Sequence, residues 1–361
     1  MKITTQHINP NEHITWQLYT LSNDNQMEVS ILNYGGTITE IRTPDRNGTI
    51  ENVVLGFNNY QDYIENPAFF GAIIGRVAGR IKDAAFQADN QLYKLTANDG
   101  DNHLHGGTTA FHHALWETSP FETDTSVGVK LSHKSPDGDD GYPGNVHADV
   151  TYELNNENQL IITYDATTDK TTPLALTNHT YFNLSGDLKE TVENHIVTVA
   201  SNRIAALNDN FIPTGKKLNV ERTPFDFTSG RNIKDGINSS HLQNKIVGNG
   251  YDHYFFLEKQ NHSDVTVKEK KSGRTLTVNT DEPGMVMYTS NNLGNGLKLK
   301  EGMSERYLGL CLETQKHPAS LLYDDFPSIL LHPEEKYHSS TKFTFEVPVT
   351  SRFLAKIGEN N

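Results

Sequence analysis

The chain has 361 residues, a formal charge of −14, 35% hydrophobic and 21% charged residues, and a single cysteine, Cys311. The acidic field disfavours a nucleic-acid or anionic-membrane partner, and the composition supports a sizeable core. One cysteine excludes an internal disulfide and a thiolate zinc cluster. Met1 to Thr20 is polar, unlike a signal peptide, and no apolar run reaches the about 18 residues of a membrane span. The expectation is a cytoplasmic protein, in which the Asn-x-Ser/Thr triplets at Asn47, Asn178, Asn238 and Asn261 are chance matches.

Taken along the chain, the first unusual segment is Gly75-Arg76-Val77-Ala78-Gly79-Arg80-Ile81. It lacks the spacing of a dinucleotide loop and the Lys-Ser/Thr of a P-loop, and by itself reads as a glycine-rich turn with exposed arginines. Next comes Asn102-His103-Leu104-His105-Gly106-Gly107, followed by His112 and His113. Histidines at i and i+2 of a strand share a face, so structural, metal-binding and substrate-binding readings all stay open. The paired glycines imply close approach of the backbone to a ligand or another strand. Asp137–Gly144 superficially suggests a calcium loop, but without spaced ligands and a closing Glu it reads as a tight turn.

Val146, Ala148, Val150, Tyr152 and Leu154 then alternate with polar residues. A polar turn at 155–158 leads to Leu160, Ile162 and Tyr164, giving a hairpin. In Thr177–Leu184, polar and aromatic residues alternate without an apolar face, which suits a wet cavity holding a sugar. Segment 208–240 is poor in alternation and reads as a long excursion within one domain. Asp252 and His253 sit among aromatics in Gly250–Phe255. A second hairpin follows, with Val265 and Val267 on one side of a turn at Lys271–Gly273 and Leu276 and Val278 on the other. Glu313 lies in the otherwise apolar Leu308–Leu312 context, where a carboxylate is costly to bury unless paired or functional. Phe343, Phe345 and Val347 alternate last, with Pro348 marking a strand end. Period two dominates and capped 3.6-residue stripes are absent, so the expected fold is all-β, a large sandwich forming one domain over residues 1–361.

Together and in this order, these segments resemble the aldose 1-epimerase family. The matching pieces are Gly75–Ile81, His103–Gly107 with Phe111, Gly141–Gly144, Thr177–Leu184, Gly250–His253, Pro283-Gly284 with Tyr288-Thr289, Glu313–Gln315 and Leu331–Tyr337. The resemblance covers roughly Leu32 to Val347. It implies an antiparallel β-sandwich of the galactose mutarotase type, with a sugar cleft on one face and a free aldohexose as ligand. It also implies His179 as general acid, Glu313 as general base, and Arg80, His105 and Asp252 as holders of sugar hydroxyls. Asn178 and Tyr181 would line the same wall. Gly79 stands where many relatives carry Asn, and Val286 where many carry Gln, which bears on sugar preference.

No cofactor or metal is expected, because opening and closing a hemiacetal needs only an acid, a base and a grip on the hydroxyls. Neighbouring carboxylates, Asp252 among them, are expected to keep His179 charged. Monomer and homodimer are both compatible with the sequence. Three rivals are a hexose-6-phosphate epimerase using Arg76 and Arg80, a non-catalytic carbohydrate-binding sandwich, and a metal enzyme built on His103 and His105.

Overall fold

The computed structural model describes residues 1–258 and 263–348. Asn261 therefore lies outside the described residues. Three antiparallel sheets dominate the fold. The largest has nine strands, and both hairpins expected from the alternation belong to it. Val146–Asn155 pairs with Gln159–Thr168, and Val265–Lys268 pairs with Thr275–Thr280. The strand Tyr337–Glu346 joins them, placing Phe343 opposite both Leu160 and Val278. It stops two residues before Pro348, as a residue lacking an N–H donor dictates.

A six-stranded sheet packs against this layer. Its order is Tyr181–Phe182, Leu310–Thr314, Gly284–Tyr288, Asp252–Phe256, Arg203–Leu207 and Pro213–Asn219. Leu310, Leu312, Met285, Met287, Phe255 and Phe182 point into the shared core with Val150, Ile162, Val278 and Phe343. Because side chains alternate, Cys311, Glu313, Val286, Tyr288, Asp252 and Tyr181 fall on the opposite face. A second apolar cluster with Trp16, Leu55, Phe57 and Phe70 covers part of that face. The uncovered part is the cleft. The third sheet is a five-stranded meander that starts at Lys2–Asn11 and ends at Ile50–Asn52.

Segment 208–240 is not wholly irregular. It contributes the edge strand Pro213–Asn219 and the short strand Arg231–Asn232. Its alternation is hidden because edge strands bury little on either face. The described helices are short, including Lys234–Ile237 and Leu242–Ile246. No helix among the described residues is long and apolar enough to cross a membrane.

Candidate active site

A cleft of about 520 Å³ opens above the six-stranded sheet. Glu313 reaches its floor because it follows Leu312 by one residue, and the burial of Leu312 in the core turns Glu313 the other way. Strand pairing sets Val286 directly opposite Glu313 and Tyr254 opposite Val286, while Asp252 pairs with Tyr288.

His179 arrives from a segment that changes sheets. Thr177–Asn178 pairs with Ile73–Ile74, and Tyr181–Phe182 pairs with Leu310 and Cys311. Between these short pairings the His179 N–H donates to the Ala72 carbonyl at 2.9 Å, and the His179 carbonyl accepts from Gly71 N–H at 3.0 Å. The result is an imidazole whose Nε2 lies 3.6 Å from Glu313 Oε1 and whose Nδ1 lies 3.6 Å from Cys311 Sγ. Both catalytic-pair candidates are almost fully buried, at 5% exposure for His179 and 3% for Glu313.

Arg80, His105, Asp252, Tyr181 and Gly79 line the same cleft. Arg80 Nε donates to Asp99 at 2.6 Å, and its guanidinium lies 5.0 Å from the Phe211 ring centre. His105 Nδ1 accepts the Gly79 N–H at 3.2 Å. That contact places the proton of the neutral ring on Nε2, which makes His105 a donor toward the cleft. Tyr181 donates its hydroxyl to the Ala68 carbonyl at 2.9 Å, so it offers the cleft a fixed ring. Asp252 and Glu313 receive no hydrogen bond from a described protein donor at their carboxylates. Asp252 faces the cleft as a free acceptor, while Glu313 has His179 Nε2 at ion-pair distance.

Four expectations change. Asn178 does not line the cleft. Its amide donates to the Gly71 carbonyl at 2.8 Å and to Tyr152 Oη at 3.3 Å inside the core. Thr177 and Asn183 are likewise buried and bonded to protein, so the polar run in 177–184 marks a segment threading between layers more than a wet wall. His103 does not share a face with His105, because the strand ends at Leu104 and His105 turns to a φ of 52°. The His103 ring is bonded to the Thr96 carbonyl at 2.7 Å and to Tyr142 Oη at 2.7 Å, away from the cleft. Arg76 is a buried strut, engaged with Ser135, Pro136, Pro143 and Thr172. The paired glycines answer to protein: a Cβ at Gly106 would lie 1.9 Å from the Gly75 carbonyl oxygen, and one at Gly107 would strike the Asp140 carboxylate.

The fourth change concerns charge. Burial pushes His179 down to about 4, and the neighbouring carboxylates do not offset it. Burial, reinforced by Asp252, drives Glu313 well above the usual carboxylate range. An isolated ion pair would show the reverse, a raised His and a lowered Glu. Here desolvation outweighs attraction, because both groups sit in a low-dielectric floor. Both shifts favour the uncharged form of each group.

Asp252 is raised to about 6, by burial first and by Asp99 as a smaller cause, against Arg80. Its native value exceeds the unfolded 3.8, so the native state binds the extra proton and stability falls as pH rises from about 4 to 6. Asp252→Asn is expected to stabilise the unliganded protein at pH 7.5 by on the order of 1–3 kcal/mol. That advantage should disappear below about pH 4. Urea denaturation of both proteins at the two pH values measures it, and a destabilised variant at pH 7.5 would count against the free carboxylate.

The alternation and resemblance did not single out Phe69, Phe211 or His317. Phe69 packs its ring 4.8 Å from His105 and 5.8 Å from His179, on a backbone with φ of 57°. Phe211 is similar, with φ of 60°. A bulky side chain in that region is strained, a feature that clusters at functional sites but leaves no trace in residue type. His317 also lines the cleft, and its Nδ1 accepts the Ala319 N–H at 3.0 Å.

An antiparallel sandwich whose open face presents three imidazoles, two carboxylates and one guanidinium defines a class, an acid–base isomerase cleft for a small polyhydroxylated ligand. The sequence profile of the family described as aldose 1-epimerase matches residues 17–344. Galactose mutarotase from Sus scrofa is 38% identical over 92% of this chain and 95% of its own length. Aldose 1-epimerase from Escherichia coli (strain K12) is 33% identical, covering 91% and 95%. Among solved structures, galactose 1-epimerase from Lactobacillus acidophilus NCFM superposes with a TM-score of 0.86 at 31% identity, covering 96% of this chain and 99% of that one. This chain belongs to the aldose 1-epimerase family and is an isomerase.

Proposed function

We propose that the protein interconverts the α and β anomers of a free aldohexose such as D-galactose or D-glucose, with His179 as acid and Glu313 as base. The observation that carries this reading is the 3.6 Å approach of His179 Nε2 to Glu313 Oε1 on the floor of an open cleft. Glu313 removes the proton of the C1 hydroxyl while His179 Nε2 gives its proton to the ring oxygen. The C1–O5 bond breaks and C1 becomes the aldehyde carbon. After rotation about C1–C2, the C5 hydroxyl adds to the other carbonyl face. His179 takes that hydroxyl's proton, and Glu313 returns its own to the former carbonyl oxygen. Nothing is oxidised or consumed, so no cofactor is required.

The electrostatics favour this exchange. Ring opening converts an imidazolium and a carboxylate into a neutral imidazole and a carboxylic acid. That is the state the buried floor prefers, so burial assists proton transfer in ring opening and opposes it to the same extent in ring closure. Arg80, the Nε2–H of His105 and the Asp252 carboxylate are placed to bind the remaining hydroxyls, with Tyr181 and Gly79 as wall. Asn178 acts at one remove, by fixing Gly71 against the His179 backbone. The shared core from Tyr19 to Phe345 favours one domain working as a unit. The charge of −14 favours neutral small molecules over nucleic acid or anionic membrane, and a cytoplasmic monomer or homodimer fits this reading.

A phosphorylated substrate fits poorly. Among the described residues the cleft is lined by one permanent cation, Arg80, already paired with Asp99, and by two acidic side chains, Asp252 and Glu313, which disfavour a phosphate. Polarimetric mutarotation across free aldoses and glucose 6-phosphate tests the function. Free hexoses are expected to exceed the phosphate ester in kcat/KM by at least about 100-fold, the effect of leaving a charged group uncompensated. Sugar binding by calorimetry with no anomerisation would overturn the catalytic reading.

A further inference from the structure

We propose that Cys311 is a positioning residue, whose thiol holds Nδ1 of His179 so that Nε2 is presented to the ring oxygen of the sugar. The role of Nε2 rests on His179 being the acid; the contact itself does not. Cys311 and Glu313 are i and i+2 of one strand and share its cleft face. Each approaches one nitrogen of the same imidazole, Sγ at 3.6 Å from Nδ1 and Oε1 at 3.6 Å from Nε2. For a sulfur partner 3.6 Å is hydrogen-bonding range. The thiol is buried and wedged between paired residues, opposite Tyr181 on one strand and Tyr288 on the other. It therefore has no freedom to leave the ring.

The contact matters because the reaction needs Nε2 to give up a proton and take one back. In the imidazolium both nitrogens carry protons, and Nδ1–H donates to sulfur. After Nε2 has given up its proton, Nδ1 keeps its own, and the same hydrogen bond persists. A ring without that partner could place its proton on either nitrogen or rotate, and closure would then lack an acceptor. Burial and the nearby Glu313 and Asp252 carboxylates push the thiol well above its usual range, so it stays neutral and does not compete for the proton. The other groups facing His179 are His105, Tyr181 and Tyr288, with His112 behind Phe69. Among the described residues, Glu313 and Cys311 are the side chains that meet its ring nitrogens within hydrogen-bonding or ion-pair distance, and the His179 backbone carbonyl also acts on the ring.

Cys311→Ala and Cys311→Ser have nearly equal volume and differ by a hydroxyl, so packing loss is matched between them. Thermal unfolding first establishes that both are folded. Cys311→Ala is expected to lose about tenfold in kcat with KM within about twofold, a fraction of what a positioned acid supplies. Cys311→Ser should lose distinctly less. Nitrogen-15 NMR of histidine-labelled, unliganded protein should show His179 protonated on Nδ1 in the wild type and a mixture of tautomers in Cys311→Ala. Equal kcat for the two variants, or an unchanged tautomer in Cys311→Ala, would overturn the proposal. An altered tautomer with wild-type kcat would instead support the contact and sink the assignment of His179 as acid.

Discussion

Glu313→Gln is expected to lower kcat for anomerisation by at least about two decades while leaving sugar affinity nearly intact and raising stability. The loss follows from chemistry: a glutamine matches the carboxylate in shape but cannot take the C1 hydroxyl proton, and a positioned base supplies about 10²–10⁴-fold. The gain follows from burial. Glu313 is 3% exposed and receives no hydrogen bond from a described donor, and burial beside Asp252 raises it well above 4.5. A raised native value means the group costs stability above the unfolded value, and removing it relieves that cost at neutral pH. Below about pH 4 the unfolded carboxyl is also protonated, and the two proteins should converge. Polarimetry and urea denaturation together provide the test. Near-normal turnover would remove Glu313 from the mechanism, and a loss of activity accompanied by destabilisation would show the carboxylate to be structural.

Arg76→Met is expected to cost at least about 3 kcal/mol of stability, because several buried acceptors lose their donor at once. Arg76 is 2% exposed and occupies the junction of four segments. Its Nη2 donates to the carbonyls of Ser135 and Pro136 at 3.0 and 2.7 Å, its Nη1 to the Pro143 carbonyl at 3.0 Å, and its Nε to Ser135 Oγ at 2.9 Å. Burial lowers it to about 10, still protonated at neutral pH. Methionine preserves much of the stem but donates nothing, and the carbonyls of Ser135, Pro136 and Pro143 lose the guanidinium, with Pro136 keeping only the Asp139 N–H. Lysine would serve poorly too, since one ammonium cannot span the fork. Activity should fall with stability, as the strut lies four residues from Arg80. Urea denaturation checks the magnitude, and a variant within about 1 kcal/mol of wild type would show that water replaces the guanidinium.

The two arginines show how far residue type carries. Gly75–Ile81 contains two cations four residues apart, and nothing local distinguishes the strut from the one in the cleft. Ser135, Pro136, Pro143 and Thr172 make the distinction, and they lie 59 to 96 residues away. His103 and His105 divide for a related reason: a left-handed turn at His105 breaks the period of two that would have kept them on one face.

Alternation was enough to specify the hairpins at 146–168 and 265–280 and the all-β class, since period-two burial is a local property of each strand. The same period put Glu313 opposite in direction to Leu312, so a polar residue in an apolar strand already marked the floor of the cleft. Packing between distant segments decided the rest. It placed His179 against Cys311 and Glu313, turned Asn178 into the core, and strained Phe69 against three imidazoles. It also inverted the charge expected for His179, because desolvation depends on what surrounds a group in space, and that is settled only when the layers close over it.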